Sequence, residues 1–250
     1  MRVSVLASGS KGNSTYIETK QHKFLVDLGM TASYIEKKLK ELEVEPSEIE
    51  GIFLTHTHVD HINGLRVFMK RYHPSLYVSQ VMYEELVKMY PDFSYQIIDQ
   101  SYEIDTFHVT VFKTSHDVAD SNGYLFEEET ASIVYITDTG YLNQKYFPIL
   151  KNRSLYIMES NHDIQLLMNG KYPYHLKQRI LGDRGHLSNK DSSYYLSKLI
   201  GNQTKEIILI HLSEENNDEK IAYDTCVENL PYQIPVVISH QKEQTELVEV

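Results

Sequence analysis

Cysteine is nearly absent. The single one, Cys226, excludes an internal disulfide and a cysteine-rich metal site. It lies in IAYDTCVENL, a candidate late helix, where it reads as a small buried apolar residue. Long apolar runs are absent too. No stretch approaches membrane-spanning length, and MRVSVLASGS lacks a signal-peptide pattern. A cytoplasmic protein with no membrane partner is the expectation. Basic residues are few: 24 Lys and Arg stand against 35 Asp and Glu, a formal net charge of −11. That argues against a broad basic surface for nucleic acid, although bound divalent cations would add local positive charge. Repeats, low-complexity tracts and Pro/Gly/Ser linkers are missing. One domain over residues 1–250 is therefore expected, with the polar last ten residues frayed.

What is present is a mixed α/β pattern. RVSVLA (2–7), TYIET (15–19) and KFLVDLG (23–29) read as strands joined by turns. TASYIEKKLKEL follows as a helix with Ile35, Leu39 and Leu42 on one face, capped by Thr31 or Ser33. GIFLTH (51–56) is a short apolar run, INGLRVFMKRY a helix candidate, and SLYVS (75–79) a strand. Residues from about 95 to 136 are strand-rich, and a helix near 143–150 leads to strand SLYIME (154–159). Ser188 with Asp191 three residues on signals the start of helix NKDSSYYLSKLI. EIILIHL (206–212), a helix at 217–229 and strand PVVIS (235–239) complete the chain. Polar residues sit where apolar strands stop: Asp27, His56, His116, Asp138, Glu159 and His211. Functional groups on loops held by a rigid sheet commonly build a site.

Twelve histidines are the main chemical information. Four ligand-type residues fall in LTHTHVDHINGL: His56, His58, Asp60 and His61. An exposed polar loop is the alternative, but it does not call for this density of ligands. His56 and His58 are two apart in an extended segment, so their side chains can point the same way. Asp60 and His61 fall where the chain turns into a helix. Imidazole with carboxylate suits zinc, manganese or iron better than calcium or magnesium. Four residues cannot close two metal sites, and His116, Asp138 and His211 at strand ends are the candidate partners.

HxHxDH followed by a strand-end His, a strand-end Asp and a late strand-end His resembles the metallo-β-lactamase fold superfamily, as does Asp27 in FLVDLG. The resemblance implies a four-layer αβ/βα sandwich, two mixed β-sheets flanked by helices, with metals at the sheet edges. It implies two divalent metal ions, zinc or manganese. His56, His58 and His116 would hold one, and Asp60, His61 and His211 the other. Asp138 would bridge, and Asp27 would orient a ligand from behind. His58 stands where flavodiiron relatives carry a glutamate, which disfavours a redox di-iron role. Paired cations favour hydrolysis, because they depress the pKa of water and stabilise charge on a phosphoryl or carbonyl oxygen.

Further motifs narrow the branch. SGSKGN (8–13) is a glycine-rich turn, either a phosphate cradle or an ordinary hairpin connection. ESNHD and GHLSN place Glu159 and His186 where the ribonuclease Z-like branch has a Glu–His couple beside the metals. Together with VLASGSKGN, LVDLG, LTHTHVDH, SHDV, TDTG and HLSEENN, they resemble the YycJ/WalJ family of bacterial metallohydrolases over about residues 3–240. That resemblance implies a metal-dependent phosphodiesterase, a 5′-3′ DNA exonuclease linked to DNA repair, with DNA 5′ ends as substrate. Asp60, His186 and Glu159 are the catalytic candidates. Ser8, Ser10, Asn13, His162 and Arg184 are candidates for a substrate phosphate. Lys171, Lys177, Arg179 and Arg184, interleaved with Tyr172 and Tyr174, offer either a compact grip on DNA or a solvated helix. A cyclic phosphate or phosphonate diesterase, a thioester or lactone hydrolase, and a non-catalytic regulator associated with a two-component system remain as alternatives.

Overall fold

A computed structural model describes residues 1–250. The first half contains β1 (Arg2–Ala7), β2 (Ser14–Glu18), β3 (Lys23–Val26), α1 (Ala32–Glu41), β4 (Gly51–Phe53), α2 (Val59–Ile62), α3 (Leu65–Tyr72), β5 (Ser75–Val78), α4 (Gln80–Met89) and β6 (Tyr95–Ile97). The second half begins with β7 (Ser101–Ile104), β8 (Phe107–Lys113), β9 (Asn122–Glu128), β10 (Ala131–Ile136), α5 (Phe147–Leu150) and β11 (Leu155–Glu159). It ends with α6 (Ile164–Asn169), α7 (Tyr174–Leu181), α8 (Asn189–Leu199), β12 (Glu206–Ile210), α9 (Glu219–Glu228), β13 (Val236–Ile238) and β14 (Val248–Glu249).

The strands form two seven-stranded sheets, ordered β14-β1-β2-β3-β4-β5-β6 and β13-β12-β11-β10-β9-β8-β7. Each is antiparallel at one side and parallel at the other: β3 to β6 run parallel in the first sheet, β10 to β13 in the second. The apolar runs explain the layering. Along β11, Leu155 and Ile157 face the opposite sheet, while Tyr156 and Met158 face the helices. β12 repeats this with Ile208 and Ile210 against Ile207 and Leu209. A strand buried on both faces needs an unbroken apolar sequence rather than alternation. One core lies between the sheets. A second joins the first sheet to α1, α3 and α4, and a third joins the other sheet to α5, α8 and α9. The result is the expected αβ/βα sandwich.

Several local expectations hold and others are corrected. Thr31, rather than Ser33, caps α1 by accepting from the Tyr34 amide, and Ser188 caps α8 by accepting from Asp191 N at 3.1 Å. Cys226 is buried in α9. The helix α4, with Met82 and Leu86 buried on one face, has no counterpart in the sequence reading. The last ten residues, expected to fray, are docked. Val3 pairs with Val248 and Arg2 with Glu249, and Thr245 N donates to Val5 O at 3.0 Å. The outer edge of β1 would otherwise leave its hydrogen-bonding groups unpaired, and Leu247 and Val248 supply apolar anchors to the adjacent cores. No helix is long and apolar enough to cross a membrane.

Candidate active site

The site lies beyond the carboxyl ends of the parallel strands, where open α/β sheets commonly bind ligands. β3 delivers Asp27, β4 the loop 54–58, β10 Asp138, β11 Glu159 and β12 His211. Three of these depart from ordinary backbone geometry. Asp27 (φ 59°), Asp138 (φ 48°) and His211 (φ 58°) are all left-handed. Non-glycine residues rarely adopt this region, and such strain gathers at functional sites. Ser8 helps to hold one of them: its Oγ accepts from the His211 amide at 2.6 Å.

The loop carrying HVDH is knitted to two other motifs. Asn13 N donates to Asp60 O at 2.8 Å, and Gly29 N to Asn13 O at 2.8 Å. The approach is close enough that a Cβ on Gly29 would lie 1.6 Å from the Asp60 carbonyl oxygen. Only glycine fits there, which accounts for the G of LVDLG. This packing also changes the reading of SGSKGN. Five of its six backbone amides already have acceptors inside the protein, so the turn serves as a structural connection, with Ser10 as its residue at the cavity.

The candidate ligands fall into overlapping groups. His56, His58 and His116 form one, and Asp60, His61 and His211 another, while Asp138 sits with His56 and His61. Asp138 Oδ2 is 3.1 Å from His61 Nε2, and its Oδ1 is 3.8 Å from His116 Nε2 and 3.6 Å from His211 Nδ1. A fourth group joins Asp138 and His211 to Glu159 and His186. His61 and His116 are oriented from behind. His61 Nδ1 donates to Asp27 Oδ2 at 2.7 Å, and Asp27 in turn accepts from Thr55 N and Thr55 Oγ1, each at 2.8 Å. His116 Nδ1 donates to Gly185 O at 3.2 Å. Such contacts set which ring nitrogen faces the site.

The unmet groups fit a cation. His56 Nε2 and His211 Nε2 are buried without any hydrogen-bond partner, a costly state unless something takes their lone pairs. Burial, with His61 and His116 nearby, holds the His56 pKa well down, so its ring is neutral and able to ligate. Burial also opposes charge on His61 and His211. Even so, Asp27 and Asp138 raise the pKa of His61, and Asp138, Asp60 and Glu159 raise that of His211. Surplus negative charge thus surrounds the ligand nitrogens. A divalent cation would satisfy that charge and the orphan lone pairs together.

Glu159 is the most heavily used carboxylate. Its Oε1 accepts from His186 Nδ1 at 2.7 Å and His211 Nδ1 at 3.2 Å, and its Oε2 from the amides of Thr139 at 3.0 Å and Leu187 at 3.2 Å. Burial alone would raise its pKa, but the two imidazoles pull it below the ordinary carboxylate range. Burial likewise opposes charge on His186, and Glu159 reverses that effect and raises its pKa. His186 lines a cavity of about 230 Å³ together with His58, Asp60, Asp138 and His211.

The expected phosphate contacts divide. Ser10 lines this cavity. Ser8 is buried and engaged with His211. Asn13 accepts from the Gly9 amide and reaches His61 Nε2 at 3.0 Å, contacts that hold the loop. His162 is fully buried with both ring nitrogens unpartnered, and burial pushes its pKa down to about 4. It does not reach the cavity. Arg184 is turned away, donating to the backbone oxygens of His116 and Val118, each at 2.9 Å. Lys177 is pinned to Met168 O and Gly170 O. Of the four basic residues in the 171–184 segment, Lys177 is buried and Lys171, Arg179 and Arg184 are exposed, but Arg184 is committed to the backbone. The sequence reading gave no role to Asp117 or Asn161, which line the cavity. Their signal was adjacency: Asp117 follows His116 in SHDV, and Asn161 lies within ESNHD.

Comparison with known proteins agrees with this geometry. Residues 7–145 match the family model described as Metallo-beta-lactamase superfamily. The chain belongs to that superfamily and, within it, to the WalJ/YycJ family. It is 38% identical over 236 residues to exodeoxyribonuclease WalJ of Streptococcus pneumoniae, covering 92% of this chain and 88% of that protein. It is 36% identical over 228 residues to exodeoxyribonuclease YycJ of Bacillus anthracis, covering 89% and 86%. Among solved structures, the metallo-β-lactamase fold protein YhfI of Bacillus subtilis shares the fold with a TM-score of 0.74 at 18% identity, over 98% of both chains. By family the chain is a hydrolase, and its His/Asp clusters make the site one for divalent metal.

Proposed function

We propose that this protein is a two-metal exodeoxyribonuclease that removes nucleotides from the 5′ ends of DNA. The observation that carries the reading is the meeting of two ligand groups with a carboxylate-oriented imidazole in one cavity. The names of its two relatives, both exodeoxyribonucleases, support DNA as the substrate. A DNA substrate also accords with a cytoplasmic location.

His56, His58 and His116 would hold one ion, and Asp60, His61 and His211 the other, with Asp138 between them. When bound, the ions supply Lewis-acid stabilisation of the phosphoryl oxygens and lower the pKa of the attacking water. The protein's own groups do the rest. Asp27 fixes the His61 ring, and Thr55 fixes Asp27. Asp60, whose pKa is held below the usual range by the neighbouring His211 and His61 rings despite burial, stays ionised at the cavity wall. Glu159 favours the protonated form of His186, so that this ring can give its proton to the departing 3′ oxygen of the terminal nucleotide. Tyr172 lines the cavity and Tyr174, at the start of α7, is 70% exposed, a pair suited to stacking on unpaired bases.

The test is to incubate the metal-loaded protein with end-labelled duplex DNA and with bis(p-nitrophenyl) phosphate. Progressive loss of nucleotides from 5′ ends is expected. Cleavage of the small diester without any cleavage of DNA would replace this reading with a small-molecule phosphodiesterase.

A further inference from the structure

The cavity is lined by three aspartates, Asp60, Asp117 and Asp138, and by a single Lys or Arg side chain, that of Arg179. A phosphodiester entering such a place meets repulsion except at bound cations, at the His186 ring paired with Glu159 and at this guanidinium, the one permanent cation among the lining side chains. Arg179 extends from α7, which is braced by Lys177 Nζ on Met168 O at 2.7 Å and on Gly170 O at 2.8 Å. Its Nε donates to Asp117 Oδ2 at 2.5 Å, and its Nη2 pairs with the same oxygen. A guanidinium has five N–H donors, and this pairing uses two. The side chain remains 61% exposed, so the other donors face solvent at the mouth of the cavity.

Asp117 connects this arginine to the ligand groups. Its Oδ1 is buried with no hydrogen-bond partner, 3.4 Å from His116 Nε2 and 3.7 Å from His58 Nε2. Arg179 is therefore one carboxylate and two contacts away from the trihistidine group. Those contacts set the guanidinium outside the ligand groups and next to them, on the cavity wall that a neighbouring phosphate of the strand would pass. For an enzyme that removes a terminal nucleotide, the next phosphate is the one at the 5′ end.

We propose that Arg179 binds the terminal 5′-phosphate of the substrate strand, and that Asp117 is the positioning residue that holds the guanidinium at the cavity mouth. The inference rests on the exonuclease reading above and assigns the residue that selects the end. A planar guanidinium, already fixed by one carboxylate, presents its remaining fork to phosphate oxygens with little ordering left to lose.

The experiment compares duplexes that differ only in carrying a 5′-phosphate or a 5′-hydroxyl. kcat and KM are measured for each with the wild type, Arg179→Gln, Arg179→Lys, Asp117→Asn and the double variant Arg179→Gln with Asp117→Asn. Binding of the same ends by fluorescence anisotropy, metal content and thermal midpoint are recorded alongside. The wild type is expected to prefer the phosphorylated end. In Arg179→Gln that preference in kcat/KM falls about 10- to 100-fold, mainly through KM, as for loss of a charge-assisted hydrogen bond. Arg179→Lys recovers part of it. Asp117→Asn loses less than Arg179→Gln, and the double variant is no worse than Arg179→Gln alone, because the two act as one unit.

An unaltered end preference in Arg179→Gln would overturn the assignment, as would a wild type indifferent to the end. A fall in kcat and bound metal in Asp117→Asn, with the preference intact, would make Asp117 a ligand and overturn its positioning role. A wild type inactive on both duplexes would instead remove the exonuclease reading itself.

Discussion

His186 Nδ1 donates to Glu159 Oε1 at 2.7 Å, directly beside the ligand groups. Glu159 is fully buried, so this contact determines whether the imidazole carries a proton. His186→Asn should lower kcat on DNA by about 10²- to 10⁴-fold, the range for loss of a general acid, with metal content retained. Glu159→Gln should lower kcat by about 10- to 100-fold and shift its alkaline limb to lower pH, because the carboxylate no longer supports the charged ring. A pH–rate profile of Glu159→Gln that overlays the wild type would separate His186 from the chemistry.

Asp138 occupies the middle of the ligand constellation in a left-handed backbone conformation, φ 48°. Asparagine tolerates this conformation, whereas alanine there costs about 1–2 kcal/mol. Both Asp138→Asn and Asp138→Ala should abolish hydrolysis, and only the alanine variant should also lower the thermal midpoint. Hydrolysis rates and melting curves on the two proteins check this. Full activity in Asp138→Asn at wild-type metal content would remove Asp138 from the reacting centre.

Most of the fold and much of the site were legible in the sequence, for physical reasons. β11 and β12 are buried on both faces, so their apolar runs stand out, and Glu159 and His211 mark where those runs stop. The HxHxDH cluster is dense enough to read without a structure. What escaped depends on the third dimension. Arg184 and Arg179 look alike in KYPYHLKQRILGDR, yet one is tied to backbone carbonyls and the other faces the cavity. Ser8 and Asn13 look like phosphate contacts because a glycine-rich turn offers amides, but the fold spends those amides internally. His162 looks like a site residue by its company, although its ring is packed inside. The docking of β14 depends on a strand edge more than 240 positions away.

Gly29 sets how closely the Asp27 segment and the Asp60 loop approach. A methyl group there would lie 1.6 Å from Asp60 O and 2.6 Å from Asn13 N, both backbone atoms that cannot rotate away. Gly29→Ala should therefore destabilise the protein by about 1–3 kcal/mol or more. By displacing Asp60 and His61, it should also reduce bound metal. Gly182→Ala is the comparison, since its Cβ would meet nothing closer than Gln178 O at 3.2 Å. Metal content and urea midpoints for both variants give the check. Equal behaviour of the two would mean that the close approach at Gly29 does not hold the loop.

His22 ties the two sheets together far from the site. Its Nδ1 lies 2.8 Å from Glu50 beside β4, and its Nε2 3.0 Å from Asp105 in the β7–β8 turn. Partial burial disfavours its charge, but hydrogen bonds to the two carboxylates outweigh that, and its pKa is raised above the ordinary 6.5. The sign follows from linkage: a folded-state pKa above the unfolded value contributes stability that is fully present below 6.5 and lost as pH rises through the folded value. The thermal midpoint of the wild type should therefore exceed that of His22→Gln most at about pH 5.5–6, with the gap narrowing towards pH 8. Taking the difference between the two proteins cancels groups that titrate alike in both. A gap that widens with rising pH would mean that His22 is held neutral, contrary to its two carboxylate partners.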